Sequence, residues 1–233
     1  DLRLGGQQRL EPDLGIQLFD PGFRFGNLYA DLNVTRRNDT VILGRGVVRL
    51  DGWRAAGLTW SLDAGDTWNV PAVQDFGFAN LFAPPVTFQG ASVRGLSPGT
   101  TVLFTAGRVT SLQNIFGTDT QAIGQQLYQA ALSHRASERL DLFARGVHVR
   151  SGEMDMYTAY TDVATDVGGG IRYRPVASMQ VVADGGITAF RRRGAAVTEY
   201  APAALVGSIW ALPRGWLQIN AQRFSLGYYP VSN

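Results

Sequence analysis

The chemistry open to this chain of 233 residues is limited by what it lacks: it has two histidines, His134 and His148, and no cysteine. Without thiols there is no disulfide framework and no thiolate metal site. Neither an HExxH nor a GxSxG pattern is present, so a catalytic zinc or an activated serine has no local signature. A nucleophilic triad would have to assemble from scattered Ser, His and Asp residues, which any chain contains. The residues therefore predict no catalytic group, no metal ligand and no cofactor, and a protein that is not an enzyme. The run Gly168-Gly169-Gly170 lacks the following helix that a phosphate cradle requires. It fits a place where a strand bends or a neighbour comes close.

Charged groups carry more information. All 21 basic residues are arginine, and the formal net charge of +2 is too small to argue for nucleic acid. Arg45, Arg49, Arg172 and Arg174 fall on the same alternate positions as Asp31, Asp166 and Asp184, with Gln218 and Asn220 placed likewise. If that face lines a water-filled interior, opposed charges create a constriction that selects polar solutes. If it does not, the same groups pair with each other and brace the wall. Arg191-Arg192-Arg193 falls in an expected loop, where it is a candidate anion site or simply a solvated basic run.

The elements that position these residues read as strands. In 27–35, Leu28, Ala30, Leu32 and Val34 alternate with Asn27, Tyr29, Asp31, Asn33 and Thr35, the period of two of a strand with one apolar face. The same alternation runs through 41–50, 56–63, 178–190 and 216–224. Further strands are expected at 86–95, 100–109, 125–134, 139–150, 163–174 and 199–211, with one more at 14–19. Most of these spans exceed the usual 5–6 residues of a sandwich strand and approach the 9–11 of a tilted membrane strand. Leu28, Leu32, Val48, Leu58, Val181, Ile187, Leu217 and Ile219 are expected to face lipid. Tight turns at 36–39, 96–99, 135–138, 175–178 and 212–215 are expected at one end, and longer loops at 110–123, 151–162 and 191–198 at the other. The segment 66–84, with several aromatics, resists assignment.

Composition agrees with a membrane wall. Charged residues make up 17% of the chain, below the roughly 25% of soluble domains, and no apolar run is long enough for a membrane helix. Aromatics such as Trp53, Trp60, Tyr173, Tyr200, Trp210 and Trp216 gather near strand ends, as at a membrane–water border. One stretch, Ser61 to Trp68, matches the Asp-box pattern S-x-D-x-G-x-T-W of sialidase-like propellers. It occurs once, so it reads as a well-built turn rather than a propeller blade.

On strands such as LYADLNVT, VILGRGVVRL, MQVVADGGITAF and WLQINAQRF, the chain resembles the Gram-negative outer-membrane β-barrels, porins and exporters together, over residues 24–227. The resemblance implies an all-β, antiparallel up-and-down transmembrane barrel in the bacterial outer membrane. It implies a single domain over 1–233, with 1–23 as an N-terminal segment and 24–227 as membrane strands. Members of this class finish on a returning strand with a terminal aromatic, so further strands are expected after residue 233 and the barrel is expected to be incomplete. The implied function is a polar-lined pore for polar solutes or a polymer. The alternatives are a scaffold barrel with a plugged lumen, in an envelope assembly, and a soluble β-rich binding module. The implied partners are outer-membrane lipid, lipopolysaccharide and other envelope subunits; the run Arg191-Arg192-Arg193, read from its charge alone, is a candidate for lipopolysaccharide or another anionic polymer.

Overall fold

A strand sends successive side chains to opposite faces, so a chain written with period two folds most simply into one continuous sheet. The computed structural model describes residues 13–37, 40–68, 87–110, 122–150 and 161–225. Its regular elements are twelve strands: β1 (Asp13–Asp20), β2 (Asn27–Arg37), β3 (Thr40–Ala55), β4 (Leu58–Trp68), β5 (Thr87–Leu96), β6 (Thr100–Thr110), β7 (Ala122–Arg135), β8 (Leu140–Arg150), β9 (Thr161–Val176), β10 (Met179–Arg192), β11 (Glu199–Leu212) and β12 (Gly215–Phe224). They form one sheet in chain order, every neighbour antiparallel, the up-and-down meander of a barrel wall. Among the described residues β1 and β12 are its two edges, and the sheet is not closed.

Register carries each face unbroken across the sheet. Asp31 lies opposite Val47, and the row continues through Gly65, Gly90, Gly107, Leu127, Val149, Ala164, Phe190 and Glu199. We call this the inner face, because it holds the buried residues. Its core is Leu127, Phe143, Val147, Val149, Ala164, Val182, Phe190, Ala201, Ala203 and Leu205, all on β7–β11. The outer face exposes large apolar side chains, among them Phe104, Leu132, Val167, Ile187, Val206 and Ile219. The eight residues expected on the apolar face, from Leu28 to Ile219, all project outward by this register.

Four details differ from the sequence reading. Residues 13–20 form edge strand β1, as the strand expected at 14–19 anticipated, so the sheet begins ahead of residue 24, where the run of membrane strands was expected to start. The Asp-box-like stretch is no turn: Ser61 to Trp68 lies within β4. The tight turn there is Ala56-Gly57, with φ of 53° and 74°, the left-handed pair of a two-residue hairpin. Trp60 Nε1 donates to the Ala55 carbonyl across it at 2.9 Å. Third, β10 runs to Arg192, so Arg191 and Arg192 are strand residues rather than loop residues.

The fourth difference concerns the ends. The strand ends joined by 21–26, 56–57, 97–99, 136–139, 177–178 and 213–214 lie at one rim, and those joined by 38–39, 69–86, 111–121, 151–160 and 193–198 at the other. The turn at 36–39 therefore sits at the long-loop rim, not with the other tight turns. Connections in a meander alternate ends whatever their length, and three strands, β3, β4 and β5, separate 36–39 from 96–99. Loop length misassigned it. The segment 66–84 lies largely outside the described residues; its first residues, to Trp68, complete β4.

Two inner-face glycines set the strand approach. A Cβ on Gly65, whose φ is +111°, would meet the Gly46 carbonyl, and one on Gly90 would meet the Ala106 carbonyl. Gly15 faces open space. Gly90→Ala should therefore cost about 1–3 kcal/mol through forced separation of β5 and β6, while Gly15→Ala stays within ~0.5 kcal/mol of the parent. Denaturant midpoints of the folded protein in detergent measure both. Equal midpoints for Gly90→Ala and the parent would reject the close approach.

Candidate functional site

Among the described residues, the inner face gathers most of the paired charges, and β8 supplies the residues at their centre. Arg145 lies between two acids: Nη1 donates to Asp184 Oδ1 at 2.6 Å, and Nε is 3.4 Å from Asp166 Oδ2. All three side chains are at most 3% exposed. Thr188 Oγ1 donates to Asp166 Oδ1 at 3.3 Å. Toward the tight-turn rim, Asp141 accepts from Arg172 at 2.6 Å and Arg174 at 3.1 Å, with Arg135 at 3.4 Å.

The glycine run explains how β8 reaches β10. Gly168 stands between Arg145 and Gly186, and Gly170 between Phe143 and Asp184. A Cβ on Gly168 would lie 2.7 Å from Arg145 Nη2, and one on Gly170 would lie 2.7 Å from Phe143 Cζ. The bare strand β9 thus lets two long side chains cross it. This is the close approach that Gly168-Gly169-Gly170 suggested, and it has a purpose in packing.

On β2–β5 the same face is more open. Arg49 Nε donates to Asp63 Oδ1 at 2.6 Å, with side chains 49% and 25% exposed. The Tyr29 hydroxyl donates to Asp31 Oδ2 at 3.3 Å. Asp51, Ser61 and Arg94 form the next row of the same face, beside the row of Arg49 and Asp63. The wall is thus of two kinds: β7–β11, whose centre holds the buried core and the buried Arg145 cluster with exposed ion pairs toward the rims, and a more open half on β2–β5.

The expected site residues fall as follows. Asp31, Arg49, Asp166, Arg172, Arg174, Asp184, Gln218 and Asn220 share the inner face. They are not one cluster: Asp166 and Asp184 meet Arg145, Arg172 and Arg174 meet Asp141, and Gln218 and Asn220 stand on edge strand β12. Arg45 falls at a register shift in β3, and its side chain lies outside the described residues. Arg192 pairs with Glu199 at 2.8 Å on its own hairpin. Sequence reasoning missed Arg145, Asp141 and Asp63. Asp141 and Arg145 alternate with Phe143, Val147 and Val149, so the inner side of β8 did not read as polar. The available signal was the glycine run, which implies a large side chain on a flanking strand.

His134 and His148 point outward, bonded to Thr100 at 2.9 Å and Thr165 at 2.8 Å. Among the described residues, no group of three or more His, Asp or Glu is placed to hold a metal.

The fold and this face define the class: the wall of an up-and-down antiparallel barrel with charges on its inner side. No protein-family model matches the chain, and no curated protein sequence matches it. Solved structures with similar folds include OmpT, an outer membrane protein of Vibrio cholerae, at 9% identity and TM-score 0.44, covering 95% of this chain and 82% of that one. Pseudomonas aeruginosa OccK11 (OpdR) aligns at 15% identity and TM-score 0.45 over 92% of this chain. The chain spans 58% of the length of OccK11.

Removing one member of a buried charge cluster leaves the others unpaired, which costs far more than losing an exposed pair. Arg145→Met should destabilise by about 3–5 kcal/mol, and Arg49→Gln by about 0–1 kcal/mol. Equilibrium unfolding of both variants in one detergent tests this. Similar losses would mean that Arg145 is as solvated as Arg49.

Proposed function

We propose that this chain is part of the wall of an outer-membrane barrel, and that its inner face lines a hydrated passage for polar solutes. The observation that carries the reading is an inversion. The sheet buries Arg145, Asp141, Asp166 and Asp184 on one face and exposes Phe104, Val167, Val206 and Ile219 on the other. Soluble monomers rarely expose so continuous an apolar face. A sheet whose outside meets hydrocarbon requires one. The dimensions agree. From Tyr200 to Trp210 along the outer side of β11, the strand climbs roughly 33 Å at ~3.3 Å per residue. At a tilt near 40° that spans about 25 Å, the height of the apolar band of such barrels.

The passage runs along β2–β5. Arg49 and Asp63 are accessible there, whereas the centre of the inner side of β7–β11 is filled by the buried core and the Arg145 cluster. Solutes are sorted by width and by fixed charge, with no chemistry done on them. A second reading draws on that filled centre. The apolar core and the Arg145 cluster belong to a braced interior, and a barrel filled in this way throughout would be a scaffold without conduction.

Two measurements test these statements. In lipid vesicles, Val206→Arg, mid-band on the outer face, should cost ~2–4 kcal/mol, and Tyr200→Arg at its border about 0–1 kcal/mol. Equal costs would reject lipid contact. In planar bilayers, the complete barrel that contains this wall should conduct. Arg49→Gln combined with Arg94→Gln should move the reversal potential in a salt gradient toward cation selectivity, since fixed positive charge repels cations. An unchanged potential removes these arginines from selection, and absence of any conductance favours the scaffold.

A further inference from the structure

The outer face changes character at one level near the long-loop rim. Register there aligns Arg108 of β6, Gln126 of β7, Arg150 of β8, Val163 of β9 and Arg191 of β10 in a single row across five strands. Arg108, Arg150 and Arg191 are exposed. All three project from the side that further down carries Phe104, Val167 and Ile187. Neighbouring strands are ~4.8 Å apart, so the arginines stand at intervals of roughly 10 Å, with Gln126 and Val163 between them. An anionic oxygen cluster seated between two such arginines is within reach of both guanidinium groups, which bind phosphate through paired N–H donors.

What lies on either side narrows the partner. One row below are Tyr128, His148, Thr165 and Tyr200. Tyr128 is 48% and Tyr200 67% exposed, and the Tyr128 and His148 rings are 6.1 Å apart. Amphipathic rings above an apolar surface mark the headgroup level of a membrane. Below them the row of Phe104, Ala130, Gly146, Val167, Ile187 and Pro202 carries no polar side chain. The acid at the far end of the arginine row, Asp66 on β4, accepts from the Gly46 amide at 2.8 Å. Among the described residues, Arg108 and Arg150 make no ion pair.

We propose that Arg108, Arg150 and Arg191 form a belt that binds the phosphates of lipopolysaccharide, with its acyl chains lying on the apolar rows beneath. The inference rests on the membrane reading above, and it places the long-loop rim at the outer leaflet. The arginines sit on the lipid side and at headgroup depth, so a phosphate anchored to acyl chains meets both surfaces at once. A free anion would meet only the arginines.

The test uses the complete barrel that contains this wall, folded in phosphatidylcholine vesicles or micelles, with purified lipopolysaccharide, dephosphorylated lipopolysaccharide and phosphatidylglycerol as probes. The parent should bind lipopolysaccharide, and Arg108→Gln with Arg150→Gln should weaken that binding about tenfold or more. Arg214→Gln, at the tight-turn rim, should leave it unchanged. Circular dichroism and conductance are recorded for every variant. If the double variant folds and binds as tightly as the parent, the belt is rejected. Equal binding of phosphatidylglycerol or of the dephosphorylated form rejects lipopolysaccharide phosphate as its partner. Loss of binding with folding and conductance kept supports the proposal. If the parent folds and conducts but binds no lipopolysaccharide, only this inference falls. If the parent does not fold in lipid, the membrane reading falls with it.

Discussion

Everything in this molecule hangs on one geometric constraint: a pleated strand has two faces, and a continuous ladder makes them the two faces of the whole sheet. Because twelve strands pair in chain order without a break, a single residue's orientation fixes that of its row across the wall. Register shifts at Leu32/Val34, Asp51/Trp53, Arg108/Thr110 and Met179/Val181 insert irregularities without exchanging the faces of the rows described here. The charged groups therefore reach one side together and the large aliphatic groups the other.

Within the inner face, side-chain size does the further work. Arg145 can bond Asp184 two strands away because the strand between them carries Gly168 and Gly170. A residue with a Cβ at either position would collide with Arg145 or Phe143. A buried arginine between two buried aspartates is costly to dehydrate and is tolerated only when its partners are held in place. The sheet supplies that fixity: Asp166 and Asp184 stand on adjacent paired strands. The more open half on β2–β5 has no comparable packing, and its ions stay within reach of solvent.

Much of this was legible in the sequence, and the limits have physical causes. Strands with strict alternation, such as β2, β10 and β12, were located to within two residues of their ends. Their apolar residues were assigned to one common face, opposite the charged groups, because period two leaves only two choices. The two-residue turn at Ala56-Gly57 was not legible, because Ala gives no sign that it adopts a left-handed conformation. The Asp-box pattern misled for a related reason: its Asp and Gly favour turns, yet Gly65 serves to bring β4 against Gly46. In the candidate site, Asp166 and Asp184 were visible as acids on one face, but their partner was hidden. Partnership between strands β8 and β10 depends on what β9 lacks, and no local pattern states that.

The open edges bring the constraint to its last consequence. The backbone N–H and C=O groups along the outer sides of β1 and β12 face away from the sheet. In water such an edge is a site for adventitious pairing, and in hydrocarbon each unsatisfied group costs several kcal/mol. The outer face gives no relief, since aliphatic side chains cannot accept or donate. Both edges carry strands as regular as the interior ones: β1 presents Leu14, Ile16 and Leu18 outward, and β12 presents Leu217 and Ile219. The apolar face is thus continuous to the last described strand at each side. A wall of this kind, in a membrane, must therefore have its edges hydrogen-bonded to strands, whether to each other or to others, and the enclosed face then becomes the interior of a barrel.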